Sequence, residues 1–325
     1  MGSIPQRVLQ FGRETTFGTL VPATAIMSGV EDFNWDPGIV MKMMTVLDGT
    51  QASNHKAIKI AESPVANVTG IFSPEDSLYW LDSGFNLGVV TGVGPYVNTY
   101  SAPVTTTAQA TRSRTLEFYD GQQCYRLTSG LVNAFSIMGA DNDIWKFSTS
   151  WFGTQITSGT LTAALSGRTW NGFPTNSTSV WVDDLGGTIG TTALAATLIN
   201  WNLSVTTGIH GKFFQNGTLL QSAKGINNLV GTLTMTLEAN ASGVAEMAKL
   251  LSGTGRLVRL KSATVNTALA QIDFCGTYTK NSAAWGNRNG NTTLSLTLTS
   301  TMDTGAFANW LKIVITNIAA MVATA

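Results

Sequence analysis

The chain has 325 residues, which is long for one ordinary domain and about right for two. Hydrophobic residues make up 43% and charged residues only 12%, so uncharged polar residues must cover much of the surface, and a coiled coil or a charge-rich disordered chain is excluded. Basic and acidic residues number 19 each, so the sequence lacks the basic excess of an exposed DNA-binding or anionic-membrane-binding surface.

The first helix signal along the chain lies at residues 73–85. Ser73-Pro74-Glu75 offers an N-cap, a proline at the first helical position and an acidic side chain at the positive end of the helix dipole. Leu78 and Leu81 follow at helical spacing. The segment therefore predicts a short helix with one buried apolar face.

Strand signals dominate the rest of the sequence. Between residues 232 and 237, for example, Thr alternates with Leu or Met, which places apolar side chains on one face of a strand and hydroxyls on the other. Thr also suits a sheet because it is β-branched. The fold class is therefore predicted to be mainly β. The clearest predicted strands are 132–138, 145–152, 201–206, 232–237, 257–260 and 294–299.

A second short helix is predicted at residues 242–253. Ser242 would be its N-cap, Glu246 would lie in its early turns, and Gly253 would end it. The apolar stripe predicted for this helix consists of Val244, Met247, Ala248 and Leu251.

These elements occur twice in the same order. Phe33-Asn34-Trp35 corresponds to Ile199-Asn200-Trp201, and a strand leading into a helix follows each motif, at an offset of roughly 166 to 169 residues. A period this long predicts a duplicated domain. We expect a first domain at residues 1–157, a linker rich in Thr, Ser and Gly at 158–179, and a second domain at 180–325.

Charge divides unevenly between these halves. Residues 1–157 hold 9 basic and 13 acidic residues, whereas residues 158–325 hold 10 basic and 6 acidic residues. Opposite signs suit a head-to-tail contact between the halves of neighbouring subunits. We therefore expect first and second domains to alternate in an assembly of this chain.

No arrangement of reactive side chains in the sequence indicates an enzyme. The two histidines, His55 and His210, lie in predicted loops, and the two cysteines, Cys124 and Cys275, are far apart and lack a CxxC partner. Ligand spacings typical of metal or nucleotide sites do not occur. The sequence thus predicts no catalytic, cofactor-binding or metal site.

Neither terminal segment indicates targeting or membrane insertion. Residues 1–18 lack the apolar region of a secretory signal, and residues 310–325, the most apolar stretch, are too short and too polar to span a bilayer. We therefore expect a protein that is made in the cytoplasm and needs no membrane.

The tryptophans fall into two groups by their surroundings. Those within strand patterns are expected in the core, and those near strand ends or loops are candidates for subunit contacts. The expected core residues are Trp35, Trp145, Trp151 and Trp201, and the contact candidates are Trp170, Trp181, Trp285 and Trp310.

Four segments resemble one family of virion proteins. Residues 11–22, FGRETTFGTLVP, are similar to the start of the tail tube proteins (major tail proteins) of long-tailed, siphovirus-type bacteriophages. Residues 181–192, 238–260 and 311–317 resemble the family's entrance to a second domain, its helix with the return strand, and its final strand. The resemblance covers nearly the whole chain except residues 93–111 and much of the domain junction.

This resemblance implies two tandem duplicated β-sandwich or split-barrel tail-tube domains, each with one short packed helix. Three copies would form a pseudo-sixfold ring, and rings would stack head to tail into a tube that conducts the genome during ejection. The implied partners are further copies of the chain, the tape-measure protein in the lumen during assembly, tail terminator and distal tail proteins, and passing genomic DNA without specific binding. The implied location is the virion tail, after assembly in the host cytoplasm.

Two long loops at corresponding places, residues 41–61 and 207–224, are hypothetical contacts between stacked rings. Methionines are adaptable contact residues, and aromatic side chains often anchor interfaces. The alternative is that Met43 and Phe213 fill the cores of their own domains. The loop residues assigned to ring stacking are Met41, Met43, Met44, His55, His210, Phe213, Phe214 and Asn216.

Two other interpretations stay open. A two-domain β-sandwich adhesin or lectin would stack sugars on exposed tryptophans at loop tips and would remain monodisperse. Another phage capsid or baseplate component could share the duplicated fold, since fold alone does not decide function. The tube interpretation differs from the first alternative because it predicts concentration-dependent polymers.

Overall fold

The protein is mainly β, with large antiparallel sheets and two α-helices among the described residues. The fold class predicted from the alternating pattern is therefore confirmed. The computed structural model describes residues 6–45, 56–106, 109–167, 170–194 and 196–317. At residues 280–283 it describes the backbone alone.

The first half contains twelve strands and one helix. They are β1 (Val8–Arg13), β2 (Ala25–Ile26), β3 (Val30–Asp36), β4 (Ile39–Met44), β5 (Lys56–Glu62), β6 (Val65–Ile71), α1 (Pro74–Gly84), β7 (Val89–Thr91), β8 (Tyr96–Ser101), β9 (Arg114–Tyr119), β10 (Cys124–Gly139), β11 (Lys146–Phe152) and β12 (Gln155–Gly159).

The second half contains nine strands and one helix. They are β13 (Ser179–Asp184), β14 (Leu198–Thr206), β15 (Ile209–Lys212), β16 (Ala223–Ile226), β17 (Val230–Glu238), α2 (Ala241–Ser252), β18 (Arg256–Lys261), β19 (Leu269–Arg288), β20 (Asn291–Ser300) and β21 (Leu311–Asn317).

Both halves have the same strand order. In the first half, β3, β6, β11 and β10 form one sheet, and β1, β9, β10 and β12 form another. In the second half, β14, β17, β20 and β19 form the first sheet, and β13, β18, β19 and β21 form the second. The long strands β10 and β19 run through both sheets of their half. Each half therefore repeats one arrangement of two sheets and a helix.

Two strand pairs join the two halves. Strand β10 pairs with β14, which makes one continuous sheet of eight strands in the order β3-β6-β11-β10-β14-β17-β20-β19. Strand β8, which lies in the segment outside the family resemblance, pairs with β21 of the second half. Because strand pairing crosses the junction, the predicted domain bounds at 157 and 180 stay a prediction.

Buried side chains of both halves form one continuous apolar core. The rings of Trp145 and Trp201, one from each half, meet edge to face with centroids 4.8 Å apart. Edge-to-face packing of this kind is favourable because the positive ring edge meets the negative ring face. The core therefore supports the strand pairing that links the halves.

Helix α1 begins as the sequence predicts. The Ser73 hydroxyl oxygen accepts a hydrogen bond from the Glu75 backbone N–H at 3.2 Å, and Leu78 and Leu81 are fully buried. The Glu75 carboxylate is also buried, and it accepts a 2.7 Å hydrogen bond from the side chain of Asn171. The predicted cap and the predicted apolar face of this helix are confirmed.

Helix α2 differs from its prediction at its start and in its orientation. Its N-cap is Asn240, whose side chain accepts hydrogen bonds from the backbone N–H groups of Ser242 and Gly243, so the prediction of Ser242 as the cap is wrong by two residues. Asn and Ser are both good N-cap residues, and Asn240 has the extended backbone that an N-cap requires. The helix ends at Gly253 with a φ of 69°, as predicted.

The predicted apolar stripe of α2 is also wrong for most of its residues. Leu251 is 78% exposed and Val244 is exposed, whereas Met247 is half-buried. The physical reason is the buried carboxylate of Glu246, which reaches its cation only when the face with Gly243, Glu246 and Leu250 is turned toward the core. That cation is Arg256, whose Nη2 and Nε lie 2.6 and 3.0 Å from the Glu246 carboxylate oxygens.

Each half holds its helix with an arginine at an equivalent position, the first residue of the strand that pairs with the long strand of that half, β9 with β10 and β18 with β19. Arg256 of β18 bonds Glu246 on α2, and Arg114 of β9 donates to the backbone oxygen of Tyr79 on α1 at 3.2 Å. Burial of the Arg114 guanidinium lowers its pKa to about 10, so it keeps its charge at neutral pH. A buried, hydrogen-bonded cation fixes the helix on the sheets in both halves.

We expect Arg256→Ala to lower the free energy of unfolding by about 3–5 kcal/mol, because it leaves the buried Glu246 carboxylate without its cation. The matched control is Lys249→Ala. Lys249 lies on the same helix as Glu246, and its Nζ lies 2.9 Å from the exposed carboxylate of Asp184 on β13. That exposed pair should contribute less than about 1 kcal/mol. Urea denaturation followed by tryptophan fluorescence measures both values, and equal losses in the two variants would contradict this assignment.

Candidate functional site

The reactive side chains are dispersed and mostly buried. Both Cys124 and Cys275 are buried free thiols, and burial raises the pKa of each, to about 12 for Cys275. The His210 ring lies exposed with Nδ1 3.2 Å from the Gly208 carbonyl oxygen, and His55 lies outside the described residues. Within the described ranges, no three His, Cys, Asp or Glu side chains are grouped as metal ligands would be.

Because the thiolate is the reactive form, we expect Cys275 to resist alkylation in the folded protein at pH 8. Iodoacetamide labelling followed by peptide mass spectrometry should show little modification at Cys275 in buffer and full modification in guanidinium chloride. Rapid native labelling at this position would instead indicate an accessible thiol and would reopen the question of nucleophilic chemistry.

The eight-stranded sheet has one polar face, built from side chains that point away from the apolar core. Its hydroxyl and amide groups bond to one another across strands: Thr234 lies 3.0 Å from Thr297, and Asn67 donates to Asn34 at 3.1 Å. Such a face is solvated without carrying many charges. The polar face includes Asn34, Asn67, Thr69, Ser136, Ser148, Ser150, Asn202, Ser204, Thr206, Thr232, Thr234, Thr236, Ser295 and Thr297.

The junction at the middle of this sheet is a complete strand pair. Ile137 of β10 lies opposite Leu203 of β14, and both side chains are fully buried. Residues 134–139 pair continuously with residues 201–206. The edge of the first half and the edge of the second half are therefore complementary in backbone register and in packing.

The two outer edges of the sheet are open. Over the part of the chain that the structure describes, β3 pairs with β6 alone, and residues 283–288 of β19 pair with β20 alone. Trp285, near the end of β19, lies on the core-facing side opposite Leu294 and is 59% exposed. Trp35 on β3 is half-buried rather than buried as predicted. Each open edge thus leaves a large aromatic side chain incompletely covered.

The open edges occupy the same positions as the two strands of the internal junction. Strands β3 and β14 each carry a bulge near their start, which ends at Asp32 in β3 and at Asn200 in β14. Trp35 and Leu203 each lie three residues beyond that point, where they pair with Ala66 of β6 and Leu233 of β17. By the same comparison Trp285 takes the position of Ile137. The edge of β19 is therefore the second-half counterpart of the β10 edge, and the edge of β3 is the first-half counterpart of the β14 edge.

The predicted stacking residues lie on two hairpins. Met41, Met43 and Met44 all lie on β4 and are exposed, Met43 at 58%. Phe213, at 46% exposure, and Phe214 follow β15 and are exposed too. The alternative that Met43 and Phe213 fill the cores of their own domains is therefore wrong.

The structure brings the two hairpin regions together at one place. The Glu62 backbone N–H donates to the Leu219 carbonyl oxygen at 2.9 Å, and the Gln221 side chain donates to the Ser63 hydroxyl at 3.0 Å. His210 lies on β15, so the prediction that it lies in a loop is wrong, because the segment folds back and pairs with β16. Asn216 donates to Ser222 within its own loop. Whether these residues contact another ring stays a prediction.

Sequence reasoning found some of the contact candidates and misplaced others. Trp285 and Trp170 are exposed, as expected of subunit contacts, whereas Trp310 is buried and packs edge to face on Phe274. The prediction of Trp310 as a surface contact is therefore wrong. The exposure of Ile39 at the start of β4 was missed, because an apolar residue at a strand start gives no local sign of whether another element covers it.

No helix among the described residues is long and apolar enough to cross a bilayer. No protein-family model matches the chain, and the search of curated proteins found no match either.

Proposed function

We propose that the protein is a structural subunit that assembles into stacked rings and forms a phage tail tube, a conduit for genome ejection. The observation that carries this proposal is the eight-stranded sheet, which contains the same four-stranded unit twice and ends in two edges that match the strands of its own junction. An open edge presents unpaired backbone groups that template the addition of another strand. The activity proposed is assembly, with no enzymatic step.

The internal junction supplies the register for contact between copies. Transferred to the outer edges, it places Trp285 of one copy opposite Trp35 of the next, where Ile137 and Leu203 meet inside the chain. This pairing would bury both rings. First and second halves then alternate around the ring, in agreement with the opposite net charges of the two halves.

Repetition of this contact closes the sheets into one wide barrel and leaves no open lateral edge. Three copies place six four-stranded units around the ring, which is the pseudo-sixfold arrangement expected from the family resemblance. The partners proposed beyond the chain itself are a tape-measure protein in the lumen, the tail terminator and distal tail proteins. The proposed location is the virion tail.

The polar face of the sheet is proposed to line the lumen. Thr, Ser and Asn side chains keep that wall wet, and a scarcity of Lys and Arg avoids the counterion release that makes proteins hold phosphates. DNA would therefore pass without specific binding. The apolar face lies toward the second sheet and the helices of each half.

We expect the purified chain to form tubes above a critical concentration and Trp285→Ser to raise that concentration at least about tenfold, equivalent to about 1.4 kcal/mol per contact. The reason is that the substitution removes the aromatic side chain that the next copy would cover. Trp170→Ser is the control, because Trp170 is also exposed but does not lie on a strand. Sedimentation and negative-stain electron microscopy measure the outcome. Unchanged assembly of Trp285→Ser, or a wild-type chain that stays monomeric at millimolar concentration, would overturn the proposal.

The same register places Arg288 of one copy opposite Asp32 of the next. Within one chain, Arg288 contacts Asp141 and Asp32 contacts Arg7. We expect Arg288→Asp to weaken assembly several-fold at low salt and Asp32→Arg in the same chain to restore part of it. Light scattering at two salt concentrations measures this, and a double variant weaker than both single variants would rule out the register.

A further inference from the structure

Within the described part of the chain, the hairpin formed by β4 and β5 is held at its base by the backbone bond from Glu62 to the Leu219 carbonyl oxygen, and β4 itself has no buried residue. Its two strands pair only with each other, and all six residues of β4 are exposed. An isolated two-stranded hairpin is marginally stable in water, and an apolar surface of this size usually marks a contact. The exposed apolar residues of this hairpin are Ile39, Val40, Met41, Met43, Met44, Ile58 and Ile60.

The second half contains a counterpart of this hairpin, formed by β15 and β16. Each hairpin follows the first strand of its four-stranded unit and begins at a glycine whose carbonyl oxygen accepts a backbone hydrogen bond from the far end of the hairpin. Ser63 donates to Gly38 at 2.9 Å, and Asn227 donates to Gly208 at 2.8 Å. The residues that follow these glycines, Ile39 and Ile209, therefore hold the same place in their hairpins. Ile39 lies four residues after Trp35, whereas Ile209 lies six residues after Leu203, so the first hairpin begins two residues closer to the equivalent point of its edge strand.

The counterpart hairpin is covered by the neighbouring half. Ile209 is 2% exposed and packs with Leu131 and Phe152, which belong to the first half, whereas Ile39 is 50% exposed. Polar contacts hold the same hairpin in place, since Lys224 Nζ donates to the Thr111 hydroxyl at 2.8 Å. The second half thus lays its hairpin on the half that pairs with its β14 edge.

We infer that the hairpin of β4 and β5 docks on the second half of a neighbouring copy of this chain, beside the paired edges of β19 and β3. The occupant is a second copy because the only covered example of this hairpin lies on the half across the strand junction. This inference rests on the lateral pairing in the proposed function. It assigns the start of β4 to contact within a ring, while the methionines farther along the strand remain free for other contacts.

The docking surface on the second half follows from the same comparison. Thr277 and Thr299 form a strand pair at the place that Leu131 and Phe152 hold in the first half, and both threonines are half-exposed. The Leu185 side chain, which is 39% exposed, lies beside Thr277, because both approach the same side of Gly255. Leu185 and the threonine methyl groups would cover Ile39.

The test is a thiol cross-link between copies, made with the full chain at assembly concentration. Ile39→Cys combined with Thr299→Cys should give a ladder of linked chains with a short bismaleimide on a denaturing gel. The matched control is Val40→Cys with Thr299→Cys, since Val40 corresponds to the exposed His210 and points to the other face. The native cysteines are buried, and each single variant shows their background.

We expect at least about tenfold more linked chains for the 39/299 pair than for the 40/299 pair, and Ile39→Glu should reduce assembly while Val40→Glu does not. Wild-type tubes with no 39/299 product would overturn the inference and leave the proposed function standing. Linked small oligomers without tubes would support the inference and reject the tube. Linkage of Ile39→Cys to itself in the single variant, or linkage only after rings have stacked, would also overturn it.

Discussion

Backbone hydrogen bonding at the edges of the eight-stranded sheet is the constraint on which the rest of the structure depends. Strand β10 can lie in the middle of the sheet because residues 134–139 pair with β14 on one side while β11 pairs with the strand on the other. The outer strands β3 and β19 have the same geometry and lack such a neighbour in the described chain. A protein with two matching open edges is prone to add copies of itself, unless those edges are blocked.

The elements around the sheet differ in how firmly they are held. Buried arginines at the starts of β9 and β18 fix the helices, and the aromatic core crosses from one half to the other. The hairpin of β4 and β5 is held at its base by the bond from Glu62 to Leu219, but every residue of β4 is exposed, whereas the counterpart hairpin has both packing and polar contacts with the other half. The best-supported region is therefore the junction between the two halves of the chain. The least supported are the open edges and the β4–β5 hairpin, where the proposed assembly would place a second copy.

Local patterns predicted much of this fold, and nonlocal pairing explains what they missed. The Thr and Leu alternation of β17 and β20 and the cap at Ser73 depend on neighbours in sequence, so they could be predicted. The orientation of α2 depends on Arg256, ten residues beyond Glu246, and the burial of Trp310 depends on Phe274. The open edges could not be found from sequence, because an unpaired strand and a paired strand carry the same alternation. The segments of the two hairpins were predicted as loops, whereas their described parts contain the strand pairs β4–β5 and β15–β16. Which half covers each hairpin is set by the tertiary fold.

The junction between β10 and β14 has a kinetic consequence if such rings form. One of every two lateral contacts is made within a single polypeptide, where the covalent tether gives it a high effective concentration and removes the translational entropy cost of bringing the strands together. Only the alternate contacts remain bimolecular. A ring then contains half as many contacts between separate chains as a ring built from separate units. The two halves are also free to diverge in sequence, so that the contact within the chain can be permanent while the contact between chains is reversible.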